Sequence, residues 1–417
     1  MKITIIAPGS RGDVQPYVAL GKGLKDSGHS VGILASQDFQ TLISEHGLQF
    51  LDLGGNMQDI ALGMQSLLEQ GNFLKILSSM GKTAKTLAAQ VAVRGLAACQ
   101  GSDLIIAGLG GLFAGLALSE KLGIPFVQAY YFPFTPTREF PNAMVPMPPG
   151  GLPVWANRLT HTLAQQMLWQ NYRAADSQAR RQVLKMAPVS FQGPFGALQQ
   201  EKQTILYGYS PQVIPIPKDW GDNIHVTGYW FLDPPAGWQP PMELVDFIQS
   251  GTPPVYIGFG SMVNSKAGET TDLVLKALRR TGQRGVLSAG WGGLKKEALP
   301  ETVFMIDALP FSWLFPQMAV VVHHGGAGTT SMGLWAGVPA IVTPFMGDQP
   351  FWGQRVYELG VGPRPIPLRR LTVDRLADAI QQAVSDKVMQ EEAARLGECI
   401  RAENGISRAV NVIEQVI

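Results

Sequence analysis

Short apolar runs alternate with amphipathic stretches along the chain, and this alternation restricts the possible folds more than any other feature. In the first half, strands are predicted at residues 2–7, 31–35, 103–107 and 125–129. Apolar residues at helical spacing predict helices between and after them, at residues 14–25, 112–122 and 155–184. A β-α-β order of this kind predicts a parallel sheet with helices on both faces, so the chain is predicted to be α/β.

The alternation stops once and then resumes. Residues 233–241, DPPAGWQPP, contain four prolines and one glycine and are typical of a stiff linker. Beyond them, strands are predicted at 255–259, 285–288, 303–306, 319–322 and 340–344, and helical segments at 373–416. We therefore predict two Rossmann-like, doubly wound domains, residues 1–235 and 236–417, that face a central cleft. Ligands of such sheets bind outside the carboxyl ends of the strands, which directs attention to the loops there.

The composition excludes several classes of protein. Lys plus Arg total 33 and Asp plus Glu total 32, which argues against a nucleic-acid partner because such proteins carry a basic excess. Cys99 and Cys399 lie in no CxxC motif or Cys/His cluster, so we expect no zinc site and a reducing compartment. The N-terminus lacks the apolar stretch of a signal peptide, and no apolar run is long enough for a membrane span. We expect a cytoplasmic protein with at most peripheral membrane contact.

The strongest local pattern lies at residues 321–330, where an apolar strand leads through two histidines and three glycines into a helix. Glycines allow a phosphate to approach the backbone, and the helix N-terminus provides free N–H groups. The candidate diphosphate ligands are His323, His324, Gly325, Gly326, Gly328 and Thr329. Either histidine could neutralise a diphosphate, and the pattern is neither a Walker loop nor GxGxxG. Alternatively, the glycines pack a helix on the sheet and the histidines are satisfied core residues.

Three further loops follow predicted strands. Asp348 and Gln349 present a carboxylate beside an amide, a pair that suits sugar hydroxyls, although Asp348 could equally cap a helix. Asp13 could be a general base that removes a proton from a hydroxyl, or simply an N-cap, which its position alone favours. Ser261, in the turn after the strand at 255–259, could contact a phosphate or make a turn hydrogen bond.

A long loop at residues 130–155 is rich in aromatic residues and proline. Rings such as Tyr131, Phe132 and Phe134 could form the walls of a site for a ring-shaped apolar ligand. The alternative is a loop packed on its own domain.

Five stretches together resemble a known family. In chain order they are GSRGDVQPYVALGKGL, TPTREFP, IGFGSM, HHGGAGTT and PFMGDQPFWG. They resemble the sterol 3-β-glucosyltransferase branch of the UDP-glycosyltransferases, and also the bacterial antibiotic glycosyltransferases. The resemblance implies the GT-B fold, with the acceptor in the N-terminal domain and the nucleotide sugar in the C-terminal domain. It also implies a last helix that crosses back to the first domain, and an inverting mechanism that needs neither metal nor other cofactor.

The resemblance also assigns roles to residues. Asp13 matches the proposed base, and Ser10, Tyr131, Phe132 and Phe134 would contact the acceptor. His323, with the N–H groups of Gly325–Thr329, would hold the diphosphate of UDP, while Asp348 and Gln349 would hold the sugar, which Gln349 suggests is glucose. Ala308 and Leu309 match the nucleoside-binding stretch, but the aromatic residue that stacks on uracil in plant members is missing there. A ribose-binding Glu of those members falls near Ser331.

We therefore expect transfer of glucose from UDP-glucose to a hydroxyl of a lipophilic acceptor, most simply a sterol 3-hydroxyl. The alternatives are a glycosyltransferase for glycopeptides, polyketides or flavonoids that uses a UDP- or TDP-sugar, and a nucleotide-sugar epimerase. A phosphorylase would need a lysine for pyridoxal phosphate, for which we find no motif. A non-catalytic helper could have lost Asp13 and the histidines, which this chain keeps.

Overall fold

The structure is a computed structural model that describes residues 1–55, 73–145, 152–259, 267–288 and 299–416. Two compact units are present, one formed by Met1–Leu232 with Asn404–Ile417 and the other by Asp233–Glu403. Each unit is built on a parallel sheet with helices against it. This arrangement confirms the predicted α/β fold of two doubly wound domains. None of the described helices has the length and apolar character required to cross a bilayer.

The first unit contains seven strands whose pairings are all parallel. They are β1 (Lys2–Ile6), β2 (Ser30–Ala35), β3 (Gln49–Asp52), β4 (Leu104–Ala107), β5 (Phe126–Tyr130), β6 (Ile205–Tyr207) and β7 (Ile224–Val226). The strand order is β3-β2-β1-β4-β5-β6-β7, so β1 and β4 lie at the centre. Both central strands are almost fully buried and rich in isoleucine, as expected for strands covered on both faces.

Helices follow most of these strands. They are α1 (Arg11–Asp26), α2 (Gln40–Glu45), α3 (Phe73–Cys99), α4 (Leu112–Leu122), α5 (Val154–Ala179) and α6 (Phe195–Gln200). Short 3-10 segments at Gln37–Phe39 and Leu109–Gly111 and a π-helical turn at Arg180–Leu184 complete this unit. The apolar stripe of α1 packs on β1 and β2 and forms one core with them, while α4 packs on the opposite face of the sheet.

The second unit contains a five-stranded parallel sheet in the order β10-β9-β8-β11-β12. Its strands are β8 (Val255–Gly258), β9 (Gly285–Ser288), β10 (Val303–Ile306), β11 (Val320–His323) and β12 (Ala340–Val342). Its helices are α7 (Met242–Gln249), α8 (Ala267–Thr281), α9 (Phe311–Leu314), α10 (Ala327–Ala336), α11 (Gln349–Glu358), α12 (Val373–Ser385) and α13 (Lys387–Arg401). Two 3-10 segments lie at Phe315–Gln317 and Leu368–Arg370.

The predicted helical region at 373–416 is three helices. The first break comes at Asp386, whose side chain accepts the backbone N–H of Met389 at 3.1 Å and so starts α13. The last helix, α14 (Gly405–Val416), belongs to the first unit and packs on α1. A Cβ on Gly23 of α1 would lie 2.2 Å from Ile406 Cγ2, so only glycine permits this close approach.

Candidate active site

Asp13 lies in the first turn of α1, directly after the turn that leaves the central strand β1. That turn depends on Gly9, whose φ of +138° is a conformation that side chains rarely adopt. A Cβ on Gly9 would lie 2.5 Å from Asp13 Oδ2, so the glycine also makes room for the carboxylate. The local sequence therefore places a carboxylate at the carboxyl edge of the sheet.

Three donors hold the Asp13 carboxylate. The backbone N–H and the hydroxyl of Ser10 donate to Oδ2 at 2.7 and 2.8 Å, and the Tyr131 hydroxyl donates to Oδ1 at 2.5 Å. Ser10 occupies the N-cap position, and Asp13 reaches back to it from the third helical position, as in a capping box. A carboxylate accepts about four hydrogen bonds. The described residues supply three, so one position on Oδ1 has no described donor.

Tyr131 reaches Asp13 across an intervening strand. It follows β5, and β4 separates β5 from β1, a distance of about 10 Å between strand axes. The loop after β4 is glycine-rich, and a Cβ on Gly110 would lie 2.8 Å from the carbonyl oxygen of Pro8. The β4 loop therefore packs closely against the turn that leads to Asp13, and a side chain on Gly110 would not fit there.

The other predicted acceptor residues lie in different environments. Ser10 is half-buried and bonded to Asp13, as described above. Phe132 and Phe134 are buried in an aromatic cluster, where Phe134 packs on Tyr130 and Phe195 at centroid distances of 5.6 and 5.9 Å. Of the three predicted rings, Tyr131 is therefore the most exposed. Phe132 packs on it at a centroid distance of 6.0 Å, and Phe134 packs on Phe132 at 6.4 Å.

In the second unit, His323 ends β11 and is fully buried. Its Nδ1 accepts the N–H of Gly325 at 3.0 Å, so the neutral ring carries its proton on Nε2. Within the described part of the chain, this buried Nε2 has no hydrogen-bond partner. Thr343 donates its N–H and its hydroxyl to the His323 carbonyl at 2.8 and 3.2 Å and thereby holds the residue from β12. Nothing in the sequence pattern singled out Thr343.

Both histidines are neutral in the unliganded protein. Burial, with a smaller contribution from His324, lowers the pKa of His323 to about 3, and burial lowers the pKa of His324 to about 4. At neutral pH both rings are therefore uncharged when no anion lies beside them, and the role of either histidine toward a diphosphate stays a prediction.

The N-terminus of α10 follows immediately. Gly325 has a φ of +90°, and a Cβ there would lie 2.6 Å from Val342 Cγ1 and 3.1 Å from the carbonyl oxygen of Gln349. Gly326 is the N-cap, and the N–H groups of the first turn, which includes Gly328 and Thr329, have no carbonyl partner within the helix. Free N–H groups and the positive dipole end suit an anion.

Gln349 begins α11 and is nearly buried. Its Oε1 accepts the N–H groups of Phe345 and Met346 at 2.8 and 3.2 Å. These two bonds fix the orientation of the amide, and no described residue accepts from its Nε2. Gln349 therefore presents a pair of donors beside the Gly325 turn.

Asp348 occupies the N-cap position of α11, but its side chain makes no capping bond. Instead Oδ2 accepts the indole N–H of Trp352 at 2.8 Å, which the sequence pattern did not reveal.

The predicted nucleoside-binding residues follow β10, where Ala308 is exposed and Leu309 is half-buried. Three strand spacings, about 14 Å, separate the ends of β10 and β11. Ser261 lies outside the described residues.

Comparisons with known proteins agree with this fold. The model of the glycosyltransferase family 28 N-terminal domain matches residues 3–141. The model of the erythromycin biosynthesis protein CIII-like C-terminal domain matches residues 292–414. A solved glycotransferase of kitacinnamycin superposes with a TM-score of 0.71 at 20% identity, covering 100% of this chain and 99% of that one. The glycosyltransferase VinC in complex with dTDP gives a TM-score of 0.67 at 19% identity, with 100% and 99% covered. The fold is thus GT-B.

Sequence relatives are closer. A sterol 3-beta-glucosyltransferase of Arabidopsis thaliana is 36% identical over 100% of this chain and 68% of its own length. One of Cryptococcus neoformans is 38% identical over 99% of this chain but 27% of its own length. The chain thus spans about two thirds of this plant relative and about a quarter of the fungal one. It belongs to the glycosyltransferase family that contains the sterol 3-beta-glucosyltransferases.

Proposed function

We propose that this glycosyltransferase moves glucose from UDP-glucose to the 3-hydroxyl of a sterol, with inversion at the anomeric carbon and Asp13 as the general base. The observation that carries this proposal is the Asp13 carboxylate, which three donors orient while one acceptor position on Oδ1 has no described donor. Fixing the carboxylate in this way supports the proposal, because a general base must be oriented toward the proton that it removes.

The proposed step moves one proton and exchanges one bond at the anomeric carbon for another. The acceptor hydroxyl gives its proton to Asp13 while its oxygen forms a bond to the anomeric carbon. The bond from that carbon to the phosphate oxygen breaks, and UDP leaves with the electron pair. Charge then grows on the departing diphosphate, where the first turn of α10 and the Nε2–H of His323 offer donors.

Donor binding is assigned to the second unit. The ends of β10 and β11 lie about 14 Å apart, which is comparable to the length of a nucleoside diphosphate. Ala308 and Leu309, after β10, would then contact the nucleoside. The Nε2 donors of Gln349 and the carboxylate of Asp348 would bind sugar hydroxyls. We expect no metal or other cofactor to be required, and EDTA should leave the rate unchanged.

The sterol acceptor is favoured by the relatives, because the proteins that match the full chain at 36 to 38% identity are named sterol 3-beta-glucosyltransferases. Such an acceptor dissolves in membranes, so we also propose a cytoplasmic protein that makes peripheral membrane contact. We expect no nucleic-acid partner.

A second candidate is transfer to a natural product from a UDP- or TDP-sugar. It is favoured by the solved structures of similar fold, which are glycosyltransferases such as VinC with bound dTDP, although they share only 16 to 20% identity.

The test is release of UDP from UDP-glucose with sterols, flavonoids or macrolides, together with a control without acceptor. Release with sterols alone is the expected result. Release with macrolides or from TDP-glucose would favour the second candidate. Turnover without any acceptor would instead indicate an epimerase or a hydrolase and would refute the proposal.

A further inference from the structure

Helix α5 carries four large apolar side chains on a side that faces solvent. Trp155, Leu159, Leu163 and Met167 are 76, 50, 52 and 40% exposed. They follow one another at intervals of four residues, which places them along one side of the helix, here called the outer α5 face. Soluble helices normally turn such a stripe toward the core.

Near its start, the inward side of the same helix is polar. Asn157, Thr160 and His161 are buried and bond to the preceding loop. Asn157 Nδ2 donates to the Arg138 carbonyl at 2.9 Å, Thr160 Oγ1 accepts the Asn142 N–H at 2.9 Å, and His161 Nε2 lies 3.0 Å from the Phe140 carbonyl oxygen. Polar contacts therefore hold the start of the helix, and Trp169, with Leu168 and Tyr172 beside it, anchors the later turns in the apolar core. The outer α5 face contributes little to this packing.

The two helical segments that form this surface carry basic residues but no acidic ones. Helix α3 packs against α5, and residues 73–99 and 154–175 contain no Asp or Glu, although acidic and basic residues balance over the whole chain. The basic residues of these segments are Lys75, Lys82, Lys85, Arg94, Arg158 and Arg173. A groove of about 550 Å³ between the two helices is lined by Lys82, Lys85, Gln166, Gln170 and Asn171, among others.

We propose that the outer α5 face and the adjacent groove form a docking surface for a lipid bilayer with anionic headgroups. Trp155 and the aliphatic side chains would enter the interface, and Lys82 and Lys85, which form no ion pair with any described residue, would meet lipid phosphates. A second copy of the chain fits poorly, because a two-fold contact would bring two basic surfaces together without a single carboxylate from these segments.

This inference rests on the proposed function for its purpose, since a lipid-dissolved acceptor is collected at a membrane. Binding itself requires neither donor nor turnover, so the two can be tested apart. The measurement is co-sedimentation of the full chain with vesicles of phosphatidylcholine and phosphatidylglycerol, and with vesicles of phosphatidylcholine alone.

The wild-type protein should bind the anionic vesicles, and added salt should weaken binding. The double variant Trp155→Ser/Leu159→Ser should bind at least about tenfold more weakly. The variant Lys82→Gln/Lys85→Gln should lose roughly 30-fold on anionic vesicles only. Each variant has a matched control elsewhere on the surface. Met242→Ser/Val388→Ser replaces two exposed apolar residues, and Lys121→Gln/Lys276→Gln replaces two exposed lysines. Both control proteins should bind vesicles like the wild type.

Failure of the wild type to bind anionic vesicles would overturn the inference, as would equal losses in variants and controls. A concentration-dependent dimer in light scattering that disappears in the Trp155 variant would assign the face to a second copy. A loss of turnover by that variant on detergent-dispersed sterol would assign the face to the acceptor site. A wild type that binds vesicles but never releases UDP would refute the proposed function and leave the docking surface standing.

Discussion

Replacing Asp13 with Asn removes the proposed base while it keeps almost the same shape. The amide oxygen can take the place of Oδ2 and accept from Ser10, and the amide nitrogen can face the Tyr131 hydroxyl, which also accepts. The start of α1 should therefore survive, but the side chain can no longer take a proton. Loss of general-base catalysis lowers turnover by about 10²- to 10⁴-fold, or about 3 to 5 kcal/mol of barrier.

The same substitution has a separate and smaller effect on stability. It removes a negative charge from the first turn of α1, which is worth about 0.3–1 kcal/mol, and turns charge-assisted bonds into neutral ones, about 1 kcal/mol more. A total of about 1–2 kcal/mol lowers the Tm of a unit of this size by roughly 2 to 8 °C. Asp386→Asn is the matched control, because Asp386 also supports a helix start with its carboxylate.

The assay combines initial rates of UDP release at saturating donor and acceptor with calorimetric titration of UDP. We expect Asp13→Asn to bind UDP like the wild type and to turn over slowly, and Asp386→Asn to lose Tm without losing rate. If Asp13→Asn kept more than about a tenth of the wild-type rate, the carboxylate would be a helix-capping group only and the proposed mechanism would fail.

Three other changes test the surroundings of the site. Gly9→Ala should displace the Asp13 carboxylate and lower turnover about 100-fold. Gly28→Ala is the control, because Gly28 has a positive φ with open space around it, and this change should lower the stability without lowering turnover. The measurements are the rate and the Tm of both variants. Gln349→Glu keeps the acceptor for two backbone N–H groups but loses the Nε2 donors, so the KM for UDP-glucose should rise roughly tenfold while the Kd of UDP stays constant in titration. Burial lowers the pKa of His323 from 6.5 to about 3. Between these pH values the unfolded chain therefore binds a proton at His323 that the folded chain does not. Acidification in this range should lower the free energy of unfolding by about 1.4 kcal/mol per pH unit. Urea unfolding at about pH 7 and 5 should show a shallower dependence for His323→Gln, and an unchanged slope would contradict the neutral buried ring.

The sequence predicted the strands that lie within continuous apolar runs, and it missed three strands of the first unit. Strands such as β1, β4 and β11 have continuous apolar runs that local pattern detects. The missed strands are β3, β6 and β7, which have three or four residues, and β7 is only partly buried. Runs this short show no periodicity, so their pairing is decided by the sheet edge on which they add and not by their own residues.

The candidate site was predicted to a similar extent. Strand–glycine–helix patterns located the Asp13, His323 and Gln349 loops, because parallel strands present their carboxyl ends at one edge. The bond from Tyr131 to Asp13 spans 118 positions of the chain, and no local pattern reports it. The neutral state of His323 depends on burial, which is a property of the packed sheet.

Asp13 also shows why the alternatives of helix cap and general base need not exclude each other. Ser10 takes the N-cap position, so Asp13 serves the helix from the third position and uses mainly Oδ2 to do so. Oδ1 then bonds only to Tyr131, and its remaining acceptor position faces no described donor. The capping bonds remove the rotational freedom of the carboxylate, which a base must lose in any case before it can meet a substrate hydroxyl. The structural role and the proposed chemical role thus use different oxygens of one side chain, and the stability of the helix start would help to orient the proposed base.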